Sequence, residues 1–178
     1  MNIHPLFVHF PIGLLVVYSI FEIGGYVWPT LRRQPWLFSI KAFLLFVGSI
    51  AAFVALVTGG AAEELIEGSA RSYILEMHSP IAVVTTILYF ILAAAYLARI
   101  CDLTGFGDRI AARGRFFAWS WNLKKRFWSF FLGSWLLPLF ALLALVGMTV
   151  TGALGAAIVY GPNADPFVTF IYHLFWAQ

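Results

Sequence analysis

The sequence predicts an all-α membrane protein: four transmembrane helices bundled as two repeated helical hairpins, both termini on the outer side, with a C-terminal interfacial helix. Three observations carry this. The 178 residues are 62% hydrophobic and 11% charged, with a mean hydropathy of +0.89, whereas a soluble domain carries about a quarter charged residues. Four apolar stretches reach the roughly 20 residues needed to cross the hydrocarbon core. The basic residues gather in alternate loops. One domain of this length is expected, with hairpin one at residues 5–62, an acidic outer loop at 63–79, hairpin two at 80–160 including a basic segment at 99–128, and a terminal segment at 161–178.

The first span covers about residues 7–28, the second 36–62, the third 80–98 and the fourth 130–160. The fourth exceeds a simple crossing, so it tilts, bends at Pro138 or continues beyond the bilayer. No basic stretch precedes Phe7 and the first apolar run has full span length, so no cleavable signal peptide is expected. The lone Cys101 excludes an internal disulfide, and the absence of Cys-x-x-Cys-His excludes covalently attached haem.

Lysine and arginine set the orientation. Arg32, Arg33 and Lys41 flank the first link; Arg99, Arg109, Arg113, Arg115, Lys124, Lys125 and Arg126 crowd the third. The second link offers only Arg71, set among Glu63, Glu64, Glu67 and Glu76. Links one and three are therefore expected in the cytoplasm, in a bacterial inner membrane, with both termini on the periplasmic side. Trp28, Trp36, Trp119, Trp121, Trp128 and Trp135 form an aromatic belt at the inner interface. The basic, aromatic segment 105–127 reads as an interfacial helix on an anionic leaflet, not as a nucleic-acid contact.

An internal repeat emerges on comparing the hairpins. His9-Phe10-Pro11-Ile12 opens span one and His78-Ser79-Pro80-Ile81 opens span three; Val57-Thr58-Gly59 closes span two and Val150-Thr151-Gly152 lies in span four. A duplication relates the hairpins by a pseudo-two-fold axis along the membrane normal and puts His9 and His78 at one depth. Small residues at Gly147, Thr151 and Gly155, and at Ala51, Ala55 and Gly59, let helix backbones approach each other or a flat ligand.

All four histidines, His4, His9, His78 and His173, fall in the outer half of this topology. Imidazole is costly at membrane depth unless paired, and when neutral it is the commonest metal ligand. His9 and His78, as repeat mates, are the favoured pair. His4 and His9 lie about 140° apart on one helix and so serve different sites unless the chain unwinds. Glu63 and Glu64 are candidates to orient an imidazole N–H, and Glu22, inside span one, is expected to be paired or snorkelling. No nucleophile–base pairing is present, so an electron-transfer or accessory subunit is favoured over a stand-alone enzyme.

The stretch His4-Pro5-Leu6-Phe7-Val8-His9-Phe10-Pro11-Ile12-Gly13 resembles the HPxxVHFPIxL opening of small bacterial membrane proteins of domain-of-unknown-function family 2231. Thr151-Gly152-Ala153-Leu154-Gly155, followed by Ile158-Val159-Tyr160, is similar to that family's TGxLGG-x-LVY segment, with Ala156 in place of its second glycine. The resemblance covers essentially the whole chain and implies a cytochrome b-like module. The expected function is then a membrane electron-transfer subunit with an outward-facing haem b held by two histidines, exchanging electrons with a quinone or a periplasmic redox partner. Two alternatives stand beside it: a cofactor-free scaffold subunit of a respiratory or photosynthetic complex, and a copper or zinc site built from the same histidines with Glu63 or Glu64.

Overall fold

A computed structural model describes residues 4–63 and 71–176, and among these the chain is all-helical. Helix α1 spans His4–Val27, α2 Pro29–Arg32, α3 Pro35–Glu63, α4 Ser72–Leu103, α5 Phe106–Ala111, α6 Arg115–Gly133, α7 Leu136–Tyr160 and α8 Pro166–Trp176. Four of these, α1, α3, α4 and α7, are long and apolar enough to cross a membrane. The protein is a membrane protein with lipid as its outer solvent. Each spanning helix is apolar on every side, and large side chains such as Phe10, Ile50, Phe43 and Val84 stand on the outward faces. The buried interior is instead rich in small and hydroxylated residues: Ala52, Ala95, Ala141, Ala144, Ser19, Ser49, Thr85 and three tyrosines. Between lipid-solvated helices it is close packing, not water exclusion, that holds the backbones together.

The helices form a four-membered ring in which α1 packs on α3 and α7, and α4 packs on α7 and α3. Small residues set the approach. A Cβ on Gly48 would come within 2.6 Å of Leu15 Cδ2, so α3 meets α1 there only through glycine. On the other side Gly147 of α7 leaves room for Thr85 of α4.

Two helix starts differ from the sequence expectation. Helix α4 begins at Ser72, ahead of Pro80, so His78 lies in its second turn and not before the span. Likewise α1 runs through Pro11 and already includes His4, the first described residue. A proline near the start of a membrane helix removes a hydrogen bond that neighbouring helices compensate, so it did not mark the boundary. The over-long fourth stretch resolves into two helices: Phe130 belongs to α6, which stops at Gly133, and α7 starts at Leu136. Ser134 makes the break. Its backbone is extended, and its hydroxyl accepts the Leu136 N–H at 3.3 Å. Pro138 falls within the first turn of α7, where a missing N–H costs little.

The terminal helix forms as expected. Asp165 Oδ1 accepts the N–H groups of Phe167 and Val168 at 2.8 and 2.9 Å, and Pro166 opens the first turn. Val168 and Ile171 bury against Ile74, Leu154 and Ala157. Arg71 locks the same end of the bundle by donating to the carbonyls of Ile158 and Val159, each at 2.9 Å, where α7 runs out before the positive-φ Gly161.

Candidate functional site

Polar groups collect at two ends of the bundle. At the end that carries the start of α1, His4 and His78 are electrostatic neighbours. His4 Nδ1 lies 3.2 Å from Thr58 Oγ1 on α3. That hydroxyl is also within hydrogen-bond distance of the carbonyls of Val54 and Ala55, at 3.0 and 3.1 Å, and the His4 ring bonds to the Ala55 backbone as well. Gly59 lies under the ring: a Cβ there would stand 3.2 Å from His4 Cε1. Burial pulls the His4 pKa below the ordinary imidazole value of 6.5, and the ring is neutral at neutral pH.

His78 has a parallel setting on the other hairpin. Gly155 of α7 lies under its ring, with a would-be Cβ 3.4 Å from Cε1, and the Thr151 backbone runs beside it. His78 Nδ1 and Thr151 Oγ1 are both buried without a hydrogen-bond partner. Unsatisfied polar atoms are rare in packed interiors and call for a reason. Ser79, next in the chain, donates to Glu63 at the end of α3, and Glu63 is within electrostatic range of His78.

The structure brings His4, not His9, beside His78. His9 is exposed on the outer side of α1, as the angular separation of two positions five apart on one helix requires. His173 is exposed on α8, with its ring edge-on to Tyr172 at 5.7 Å. Glu64 lies outside the described residues. Among the described residues no cluster of three or more His, Cys, Asp or Glu side chains is placed to hold a metal ion.

The opposite end holds a cluster around Glu22, which is paired as expected, with partners that the sequence analysis did not name. Glu22 of α1 and Lys41 of α3 are only 5% and 8% exposed and form an ion pair at 3.0 Å. Tyr96 of α4 donates to the second carboxylate oxygen, and Lys41 Nζ sits 5.8 Å from the centre of its ring. Phe38 stacks on Tyr96 at 5.2 Å. Tyr18 packs edge-on against Tyr89 and Tyr96, and Ser19 shares a 3.0 Å hydrogen bond with Tyr89. A cavity of about 310 Å³ opens onto the ion pair, with Arg32, Gln34, Arg99, Ser129 and Ser134 in its wall. One signal was available: Glu22 and Lys41 are nearly equidistant from the α1–α3 turn, and in a hairpin such positions share a depth. Tyr96 lies far along the chain and carried no such clue.

A ring of four spanning helices with interior polar groups at each end defines an integral membrane protein. The chain belongs to the family described as predicted membrane proteins (DUF2231), whose family model matches residues 1–164. No curated protein and no solved structure matches the chain.

Proposed function

We propose that the protein is a b-type cytochrome-like electron-transfer subunit whose redox site is at the histidine end, where His4 and His78 would hold one haem b. The observation that carries the reading is the pairing of two imidazoles from α1 and α4, each backed by a glycine of the facing helix. The donor set fits the group. Thr58 holds the orientation of the His4 ring through Nδ1, in the way a ligating imidazole is oriented by a neighbouring polar group, and the Nδ1 of His78 is buried with no hydrogen-bond partner. When bound, haem iron supplies one-electron chemistry, its potential set by axial ligands, burial and hydrogen bonds to them. The chain's own part is to orient the two imidazoles and, through Gly59 and Gly155, to leave room beside their rings.

The two hairpins are a duplication in this reading. The ring pattern, in which α1 and α4 make equivalent contacts, supports it, as do Thr58 and Thr151, mates in the Val-Thr-Gly repeat that lie beside the two histidines. With the basic links inside, the site faces the periplasm of a bacterial inner membrane, where a periplasmic redox protein or a quinone exchanges the electron. A zinc or copper site gains no support from the described residues, which offer no three-ligand group.

Optical spectra of the purified protein, air-oxidised and dithionite-reduced, test this. The expected result is a Soret band with an α band that sharpens on reduction, lost in His4→Ala and His78→Ala and retained in His9→Ala. A folded, colourless and iron-free protein refutes the reading and leaves the scaffold role; loss in His9→Ala with retention in His4→Ala refutes the ligand assignment.

A further inference from the structure

We propose that the cavity at the basic end binds a phosphate group between Arg32, Lys41 and Arg99, at the floor of which the Glu22–Lys41–Tyr96 cluster sits. The inference stands apart from the haem reading and uses none of its residues.

The charge of the lining decides the sign of the ligand. Three cations, Arg32, Lys41 and Arg99, line the cavity against one carboxylate, Glu22. That carboxylate is already engaged on both oxygens, by Lys41 and by Tyr96. Asp102 draws off part of Arg99 through a 3.1 Å contact, but is itself shared with Lys125. With Lys41 paired to Glu22 and Arg99 partly to Asp102, the excess positive charge facing the cavity comes from Arg32 and the remainder of Arg99.

The donors decide its chemistry. The Lys41 ammonium has three N–H groups, one of which goes to Glu22, and the guanidinium of Arg32 has five at the mouth. Ser129 and Gln34 add neutral donors. A wall so rich in donors suits a ligand made of acceptors, and a tetrahedral phosphate meets donors arriving from several helices where a planar quinone offers only two carbonyls. At about 310 Å³ the space is that of a small-ligand site.

Position supplies the source. The cavity lies where the basic links emerge, and basic pockets between membrane helices at such a surface take anionic lipid head groups. Leu132, Leu137 and Pro138 make part of the wall apolar, which suits a phosphodiester that carries acyl chains; inorganic phosphate offers the same head without them.

The test is native mass spectrometry of the detergent-purified full chain with phosphatidylglycerol or phosphatidylcholine added, alongside thermal melts in inorganic phosphate. Phosphatidylglycerol is expected to be retained in preference to phosphatidylcholine, and Arg32→Gln and Arg99→Gln each to weaken that retention about fivefold. Arg109→Gln, equally basic but outside the cavity, leaves it unchanged. Stabilisation by inorganic phosphate that Arg32→Gln removes, without lipid preference, supports the site with a free anion as its occupant. Equal retention of both lipids with no phosphate effect overturns the proposal. So does an equal loss in Arg109→Gln, which reduces the effect to general surface charge. Arg32 and Arg99 are exposed, so their variants test the site without disturbing the core.

Discussion

Lys41→Met is the sharpest probe of the buried ion pair. The two side chains are 10% and 6% exposed and 3.0 Å apart, so each charge depends on the other for its solvation. Removing one partner from such a pair costs about 3–5 kcal/mol. The Tyr96 hydroxyl still donates to Glu22 after the change, and the cavity beside it admits water, so the expected loss is near about 3 kcal/mol, the lower end of that range. Glu22→Gln alone leaves the ammonium facing an amide and the Tyr96 ring. The double variant Glu22→Gln/Lys41→Met removes both charges and restores most of the loss, which gives a coupling of at least about 2 kcal/mol, well above the additive error of a cycle. Equilibrium unfolding in mixed micelles, titrated with dodecyl sulfate and followed by circular dichroism, measures all four corners. A Lys41→Met cost below about 1 kcal/mol with additive double-variant behaviour refutes the argument, because it means the pair is solvated as a surface pair would be.

Other expectations follow from packing and from titration. A Cβ at Gly147 would overlap the Thr85 hydroxyl and reach within 3.3 Å of Thr85 Cβ, so rotating the side chain does not clear it; Gly147→Ala should cost about 1–3 kcal/mol and be rescued by Thr85→Ala. Gly13 has nothing within 4 Å, and Gly13→Ala should leave the melting temperature level or raise it. Gly107→Ala drives a methyl into the Trp121 indole and should shift tryptophan emission to the red as the ring is expelled. Burial lowers the His4 pKa from 6.5, so the folded chain binds fewer protons than the unfolded one just below that pH. His4 thus favours folding fully above pH 6.5, and this contribution is lost as pH falls through its depressed folded value; melting temperatures from pH 7.5 to 5 should fall less steeply in His4→Gln.

The spans, their number and the C-terminal helix were legible because hydropathy over a long window is a property of lipid as solvent, and it survives errors of several residues. Span ends were less legible. Pro80 read as a start, yet α4 runs through it from Ser72. Residue 130 read as part of span four, yet the Gly133–Ser134 break separates it. That His4 neighbours His78 while His9 is exposed turns on rotation about the helix axis: the short His-x-Pro-Ile match aligns residues along the chain but says nothing of which face meets α3. Thr58, which does meet it, carried the information only once its hydrogen bond to His4 was in view.

The polar interior also places the two ends in relation to each other. From His78 to Tyr96 helix α4 rises about 27 Å, close to the roughly 30 Å thickness of the hydrocarbon core. The imidazole pair and the ion pair therefore belong to opposite surfaces of the membrane, and neither can act as a direct partner of the other. Between them lie Tyr18, Tyr89, Ser19, Ser49 and Thr85, all buried. The hydroxyl of Ser49 has no hydrogen-bond partner among the described residues, a cost that alanine would avoid, and that of Tyr18 lies beside Glu22 and Tyr96. The tyrosines extend the polar environment of Glu22 inward along the α1–α4 diagonal, through Tyr96, Tyr18 and Tyr89 to Ser19. The bundle is in this sense built from its basic end: the charges there are held by a buried aromatic column, while the histidine end is held by glycine contacts and two threonines.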